Sequence, residues 1–199
     1  MALNFCNNNS LSAITALPAS ISGGGLNLIS TQTASSSSTI SFTSGIDSTY
    51  KEYIFKFINM HPASVENFTF QGSTDGGSNY NTSITSTFFD AYHAESGSPS
   101  ALRYVTSLDQ ANGTSFQTLA ASPHNQNDEA SSGTLHLFDP SNTTFVKHFM
   151  SRIEVTETSY SKDNYCAGYF NTTSAINAIQ FKFASGNIDS GVIKLYGVS

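Results

Sequence analysis

Histidine and acidic side chains are the residues of this chain whose types could support catalysis or bind a metal ion. His93 and Glu95 are separated by one residue. In an extended strand they would point to the same face and could begin a metal site or an acid–base pair. His136 alternates with Leu135 and Leu137 and is expected to face solvent. The other histidines are scattered and form no cluster at ligand spacing: His61, His124 and His148. We therefore predict no metal ion and no catalytic histidine.

Nucleophiles and carboxylates do not specify an enzyme either. The Gly-x-Ser-x-Gly motif is absent, and 33 serines with five histidines make any serine–histidine pairing meaningless in sequence. A glycosidase depends on the separation of two carboxylates in space, which the sequence does not provide. The carboxylates from which such a pair could be drawn are Asp90, Glu95, Asp109, Asp128, Glu129 and Asp139. We predict a protein without enzymatic activity, without catalytic residues and without a cofactor.

One glycine-rich loop has a superficial likeness to a calcium-binding loop. Residues 75–79 read Asp-Gly-Gly-Ser-Asn. A calcium loop continues with acidic ligands at alternate positions and ends on a glutamate, and both features are missing here. The sequence predicts a tight loop rather than a cation site.

Tyrosines are the remaining candidates for a binding surface. The side chain offers an apolar ring and a polar hydroxyl, which suit stacking on sugars and contacts with proteins. Six tyrosines lie in or beside segments rich in Ser and Asn: Tyr80, Tyr92, Tyr104, Tyr160, Tyr165 and Tyr169. The sequence does not say which of them share a face, so the binding residues stay unknown at this point.

Composition narrows the class of partner. Charged residues make up 11% of the chain, against ~25% in typical soluble proteins, while Ser and Thr occupy 54 of 199 positions. The surface must therefore consist largely of hydroxyl and amide groups. With six Lys, two Arg and a net charge of -6, the chain has no basic patch for a run of phosphates. We expect no binding to nucleic acid.

Targeting signals and cysteine pairing also give negative expectations. No segment approaches the ~18 consecutive apolar residues of a membrane span. No Lys or Arg precedes the weakly apolar N-terminal stretch, so neither membrane insertion nor secretion is expected. Cys6 and Cys166 stand far apart in the sequence, and their proximity in space is left open. Two such cysteines suggest reduced thiols rather than a disulfide framework or a metal site.

Two apolar segments near the C-terminus indicate the fold class. Residues 179–183 alternate large apolar side chains with Gln180 and Lys182, which is the period of a strand with one buried face. A turn rich in Gly, Ser and Asn follows, and residues 192–197 return as a second strand, so a hairpin is predicted. Strands this apolar must be paired inside a sheet, since a free edge of this composition would aggregate.

The same alternation recurs upstream. It is strongest over residues 50–60, where Tyr53, Phe55 and Phe57 share one face and isoleucines occupy the other, as in a central strand covered on both sides. No window of twelve or more residues holds a helical period. Further strands are predicted at residues 39–43, 67–71, 84–92, 102–106, 116–119, 134–138, 145–155 and 165–170. We predict an all-β fold: a single β-sandwich, with a jelly-roll-like topology favoured, closed by the C-terminal hairpin.

The N-terminal segment differs from the rest of the chain. Residues 1–35 carry no charged side chain and are rich in Gly and Ser. We divide the chain into this extended arm, 1–35, and a β-sandwich domain, 36–199. The arm is either an edge strand with loops of the same domain or a segment that docks on a neighbouring subunit, where the lack of charge removes a desolvation cost.

The C-terminal pattern also carries a family resemblance. Residues 175–197 read Ala-Ile-x-x-Ile-x-Phe-x-x-x-Ser-Gly-Asn-Ile-x-Ser-Gly-x-Ile-x-Leu-Tyr-Gly. This pattern resembles the C-terminal signature of virion structural, tail-fibre-like proteins of marine and cyanobacterial tailed bacteriophages. Upstream segments fit the same group: 35–46, 50–62, 70–73 and 75–80. These motifs are structural and contain no catalytic signature.

The resemblance implies a role in a phage particle. Such a protein would be assembled in the bacterial host cytoplasm and would contact other virion proteins and copies of itself, most simply as a trimer. We expect a non-enzymatic subunit of the tail fibre or baseplate, acting in assembly and host adhesion, with a host surface glycan as a further partner. The alternatives are a capsid decoration or head-fibre protein and a free carbohydrate-binding module.

Overall fold

Residues 25–199 are described by a computed structural model. This part of the chain forms strands and loops, with a single 3-10 turn at Thr106–Leu108 and no α-helix. The strands are β1 (Leu26–Ser37), β2 (Ile40–Phe42), β3 (Glu52–Pro62), β4 (Phe68–Ser73), β5 (Ile84–Ala94), β6 (Ser100–Tyr104), β7 (Gln117–Ala120), β8 (Ser131–Phe138), β9 (Lys147–Glu157), β10 (Tyr160–Phe170), β11 (Ala178–Phe183) and β12 (Ile188–Val198).

These strands form two antiparallel sheets around one core. The large sheet has eight strands in the order β1-β12-β3-β8-β9-β10-β5-β6, and the small sheet has four in the order β2-β11-β4-β7. Apolar side chains from both sheets meet in a single buried cluster. The predicted all-β sandwich is therefore confirmed.

Successive strands alternate between the sheets, with three exceptions. Strands β1 to β4 switch sheet at every step, and so do the pairs β7 and β8, and β11 and β12. The steps from β5 to β6, from β8 to β9 and from β9 to β10 instead stay within the large sheet and widen it. We call these four adjacent strands, β9, β10, β5 and β6, the hairpin extension.

Aromatic packing fills the centre of the sandwich. Phe181 of β11 is fully buried, and its ring centroid lies between 5.1 and 6.4 Å from five other phenylalanine rings. These rings belong to both sheets: Phe42, Phe55, Phe57, Phe68 and Phe70. Three of these contacts are edge-to-face and two are stacked, and such aromatic pairs add to the stabilisation from burying apolar area.

Strand β9 contributes side chains alternately to the two faces of the large sheet. Its side chains alternate between buried and exposed from Lys147 to Val155. Even the buried Lys147 is satisfied, because its Nζ donates to the carbonyls of Phe145 and Thr172 at 2.7 and 3.2 Å. Burial lowers the pKa of this lysine.

The prediction of a C-terminal hairpin is wrong. Strand β11 pairs with β2 and β4 in the small sheet, whereas β12 pairs with β1 and β3 in the large sheet. Both strands turn large apolar residues, such as Phe181 and Leu195, into the same core from opposite sides. The connection at residues 184–187 therefore crosses between the sheets, and each strand has two neighbours within its own sheet.

The expectation that β3 is covered on both faces is also wrong. Tyr53, Phe55 and Phe57 do face the core. On the other face, Ile54 is buried, but Ile58 is 40% exposed. No second layer of the described residues lies over that side of the large sheet.

The predicted N-terminal arm falls partly outside the described residues, which begin at residue 25. Its last part belongs to β1, an edge strand of the large sheet that pairs with β12. The boundary placed between residues 35 and 36 therefore falls inside this strand.

Candidate ligand cleft and exposed sheet face

A cleft of about 340 Å³ lies at one end of the hairpin extension. Strand β9 ends at Glu157 and β10 begins at Tyr160, so a two-residue turn places these residues opposite each other. Strand β5 contributes Tyr92, which pairs with Lys162 of β10. The lining residues are Tyr92, Pro99, Arg103, Glu157, Tyr160 and Lys162.

Arg103 is held rigidly at the side of this cleft. Its Nε and Nη2 donate to the two carboxylate oxygens of Asp90 at 2.9 and 2.6 Å. Asp90 is 1% exposed, whereas the Arg103 side chain is 49% exposed. The guanidinium carbon lies 4.6 Å from the ring centroid of Tyr92. The hydrogen bonds that Arg103 donates to Asp90 raise the pKa of Arg103, so the group carries a fixed positive charge in a fixed orientation.

A second ion pair lies across the cleft. Lys162 Nζ contacts Glu157 Oε2, and only 9% of the lysine side chain is exposed. His124 approaches the same carboxylate, with Nε2 at 3.7 Å from Glu157 Oε1. The Tyr160 ring stands at 71° to the Tyr92 ring, with 6.0 Å between centroids. The cleft thus combines two aromatic rings with two ion pairs whose charges cancel.

Sequence reasoning identified the tyrosines of this cleft but missed its charged residues. Asp90 and Arg103 are direct partners in the β5–β6 ladder. The strand predicted at 102–106 begins two residues too late to reveal that register. Lys162 lies within β10, but the strand was predicted only from residue 165. The sequence offered one signal for these charged residues. The chain has only two arginines, so Arg103 was one of two candidates for a guanidinium in a binding site.

The outer face of the large sheet, which points away from the small sheet, carries most of the exposed large apolar side chains of the described residues. Seven large apolar side chains on it are at least 38% exposed: Leu26, Leu28, Ile58, Phe89, Leu102, Tyr104 and Met150. Within residues 25–199, the other exposed large apolar side chains are Val65 and Phe145, both in loops. The exposed apolar surface is therefore concentrated on one side of the molecule.

A row of paired residues, most of them cations or aromatic rings, crosses this outer face. Phe89 and Tyr165 stack at 4.7 Å with an interplanar angle of 5°. Arg152 lies over Tyr165 and forms an ion pair with Asp163 at 2.6 Å. Paired registers connect the members of the row from edge to edge: Thr31, Lys194, Lys56, Thr134, Arg152, Tyr165, Phe89 and Tyr104.

The histidines considered as ligands do not converge. His93 and Glu95 line one shallow pocket together with Glu154. His136 lies on the outer face, where its Nδ1 is 2.6 Å from Glu52 Oε1. In the part of the chain that the structure describes, no group of three or more His, Cys, Asp or Glu residues could hold a metal ion.

The carboxylates considered for a glycosidase pair contact different structural partners. Glu129 is buried and accepts hydrogen bonds from the backbone amides of Gln126 and Thr158 at 3.0 and 2.6 Å. Asp139 accepts from Lys51 and from Asn142, both at 2.9 Å. Asp90 is committed to Arg103, and Asp109 accepts the hydroxyl of Tyr104. The polar partners of these groups are backbone amides, cations and neutral side chains.

The Asp75 loop closes on its own carboxylate. Asp75 Oδ1 accepts from the Ser73 hydroxyl at 2.6 Å and from the Asn79 amide at 2.9 Å, while Oδ2 accepts from the Asn79 side chain at 2.7 Å. These hydrogen bonds lower the pKa of Asp75 to about 2. Both oxygens are thus engaged by donors from the protein.

The remaining candidates occupy separate places. Tyr104, Tyr165 and Tyr169 lie in strands on the outer face, so they do not join the two cleft tyrosines. Cys166 is buried, which raises the pKa of its thiol. Cys6 lies outside the described residues.

Comparisons with known proteins yield no family model, no curated protein and no solved structure that matches this chain. Among the described residues, no helix is long and apolar enough to cross a membrane. Any function must therefore be argued from the cleft, the outer face and the sequence pattern.

Proposed function

We propose that this chain is a non-enzymatic structural subunit of a bacteriophage virion, associated with the tail fibre or baseplate, that serves in assembly and host adhesion. The phage origin is inferred from the resemblance of residues 175–197. The observation that carries the assembly role is the outer face of the large sheet, where most of the exposed apolar side chains are collected. A capsid decoration or head-fibre role is the alternative.

The size of the outer face supports a contact between subunits. Eight strands spaced ~4.8 Å apart span about 34 Å, and eight residues of a strand span about 26 Å. The face therefore measures roughly 900 Å², close to the ~800 Å² that each partner contributes to a standard protein interface. A surface of this area with scattered exposed apolar side chains suits a partner sheet better than a small ligand.

The charges on the outer face favour a second copy of this chain as the partner. Lys194, Lys56 and Arg152 belong to one row, and Glu154 and Asp163 lie paired beside it. Groups of opposite sign on one surface can be self-complementary, because a rotated copy can set its acidic pair over the basic row of the first. Such a contact is isologous and forms a dimer, so the trimer implied by the resemblance would need a further, heterologous contact between copies.

We also infer a jelly-roll arrangement for the strands outside the hairpin extension. The order β1-β12-β3-β8 in one sheet and β2-β11-β4-β7 in the other, with alternation between sheets, supports it. Jelly rolls occur in viral capsid proteins and in lectins, so this support is an analogy at the level of the fold.

Localisation on intact particles tests the virion role. Antibodies raised against the purified protein would be used for immunogold electron microscopy of purified phage, with a pre-immune serum as control. Label at the tail or baseplate supports the proposal, and label over the capsid supports the decoration alternative. Particles that lack the protein by both labelling and mass spectrometry would overturn a virion role.

A free carbohydrate-binding module is the second candidate function. The specific observation in its favour is the cleft, where the Tyr92 and Tyr160 rings stand beside fixed polar groups. A free carbohydrate-binding module must bind a glycan as the isolated protein and must be absent from particles. The purified protein and the purified phage therefore distinguish the two functions.

A further inference from the structure

We propose that the cleft between Tyr92, Arg103, Glu157 and Tyr160 binds a neutral saccharide unit. This inference rests on the proposed function for its biological meaning, since it would supply the adhesion step. Its test uses the purified protein alone, so failure of saccharide binding and failure of the virion role are separate outcomes.

Aromatic surface is the first requirement of such a ligand. The C–H faces of a pyranose ring are apolar and stack on aromatic side chains, while its hydroxyls point outward from the edge. Tyr92 and Tyr160 offer two rings inclined at 71°, with centroids 6.0 Å apart. The Tyr92 ring is held in place by the guanidinium of Arg103, which lies 4.6 Å from its centroid. Both rings are partly exposed, and Tyr160, at the start of β10, is the proposed stacking surface because no cation lies over its ring among the described contacts.

Fixed hydrogen-bonding groups are the second requirement. Asp90 occupies Nε and Nη2 of Arg103, so the Nη1 group keeps its N–H donors for a ligand. Lys162 contacts Oε2 of Glu157, while Oε1, which lies 3.7 Å from His124 Nε2 and beyond hydrogen-bond distance of it, can still accept a hydrogen bond. Both groups are held by ion pairs before any ligand arrives, which lowers the entropic cost of binding. A hydroxyl both donates and accepts, so one sugar ring can use the arginine and the carboxylate together.

The charge balance selects a neutral ligand. Arg103 is neutralised by Asp90, and Lys162 is neutralised by Glu157. An anionic ligand would meet the Glu157 carboxylate, and a cationic ligand would meet the Arg103 guanidinium, without an unpaired counter-charge in the lining. The volume of about 340 Å³ lies at the small end of the ~300–1,000 Å³ range of ligand pockets. The cleft thus fits a terminal sugar unit better than a long chain enclosed on all sides.

The test is binding of the full-length purified protein to immobilised neoglycoproteins. The probes carry glucose, galactose, mannose or N-acetylglucosamine, and conjugates of glucuronic acid and sialic acid serve as charged comparisons. We expect binding to at least one neutral conjugate that changes little with ionic strength, because no net charge is engaged. Tyr160→Ala should weaken it by about ten-fold or more, since a stacking ring is lost. Tyr160→Phe, which keeps the ring, should stay within a few-fold of wild type.

Two further variants separate the cleft from general effects on folding. Arg103→Lys keeps a cation beside Asp90 but removes the fork of donors, and it should also weaken binding. Phe145→Ala removes an exposed aromatic ring in the loop before β9, at the other end of that strand from Glu157, and should leave binding unchanged. Circular dichroism and thermal melting confirm that each variant is folded.

Three results would overturn the proposal. The first is binding to none of the neutral conjugates. The second is binding that survives both Tyr160→Ala and Arg103→Lys in folded proteins. The third is a preference for the acidic conjugates that weakens steeply with salt. This result would indicate an anionic ligand instead of a neutral one.

Discussion

Phe181 is the residue on which the aromatic packing of the core converges. Its ring contacts rings from both sheets and is fully buried, so truncation leaves a cavity in the centre of the sandwich. We expect Phe181→Ala to lower the free energy of unfolding by ~3–5 kcal/mol, as for other large-to-small changes in cores. Chemical denaturation measures it. Phe145→Ala, at a ring that is 68% exposed, is the matched control, and a loss below ~1 kcal/mol at Phe181 would contradict the packing described here.

Asp75 gives the loop of residues 75–79 a pH dependence whose sign follows from its pKa. The carboxylate has a folded pKa of about 2, lowered from 3.8 by hydrogen bonds from Ser73 and Asn79. A lowered pKa means that the ionised form stabilises the fold above the unfolded pKa and that this contribution is lost as pH falls through the folded pKa. We therefore expect the difference in Tm between wild type and Asp75→Asn to be largest near neutral pH. It should shrink as the pH falls from about 4 to about 2, and a difference independent of pH would refute the role of the charge.

Buried apolar residues could be assigned to the core from the sequence, whereas buried charged residues could not. Alternation of large apolar residues located Tyr53 and Phe181 on buried faces correctly, because burial of apolar area is a local property of the pattern. Asp90 and Lys162 are also nearly buried, yet they carry charges. Their burial depends on partners supplied by other strands, and no local pattern contains that information.

At the scale of elements, one ion pair ties β6, the edge strand of the hairpin extension, to its neighbour β5 in addition to the backbone ladder. All residues of β6 are exposed, and Arg103 ties this edge strand to the buried Asp90 of β5. We expect Arg103→Ala to destabilise the protein by about 2–3 kcal/mol, because it leaves a buried carboxylate without its counter-charge. This is below the range for fully buried pairs, since half of the Arg103 side chain is exposed.

The second arginine of the chain provides the matched control for this prediction. Arg152 forms a similar forked contact with Asp163, but its side chain is 67% exposed on the outer face. Arg152→Ala should leave the unfolding midpoint almost unchanged. Hydrogen exchange adds a local readout: amides of β6 should lose protection in Arg103→Ala and keep it in Arg152→Ala. Equal effects of both substitutions would show that burial of Asp90 is not the cause.

The existence of strands was more predictable than their partners. Strand β5, predicted at 84–92 and found at Ile84–Ala94, has clear alternation on its buried face. The first half of β10 was missed because its inward residues include Lys162 and Asn164. Strand β1 was not resolved as a single element because it is rich in Ser and Thr on both faces. The connection that crosses between the sheets from β11 to β12 needs the same turn residues as a hairpin. Only the packing of the two strands in different sheets distinguishes a crossing connection from a hairpin.

At the scale of the whole molecule, the candidate site illustrates why binding surfaces are harder to predict than folds. The cleft combines residues of β5, β6, β9 and β10, whose registers must all be known before Tyr92, Arg103 and Glu157 are seen together. An error of one residue in any strand would turn its side chains to the other face. The tyrosines could therefore be proposed as binders from composition, but their charged neighbours required the sheet itself.

The outer face makes a prediction about the state of the protein in solution. Met150 lies on β9, a central strand of the eight, and its side chain is 56% exposed. If copies associate through this face, Met150→Glu should weaken association by at least about ten-fold, because a carboxylate must be desolvated in the interface. Sedimentation velocity over a range of concentrations measures this. Phe145→Glu, at an exposed apolar residue outside the face, should associate as wild type does. Wild-type protein that stays monomeric at every concentration, or association that Met150→Glu does not weaken, would show that the outer face is not the contact between copies.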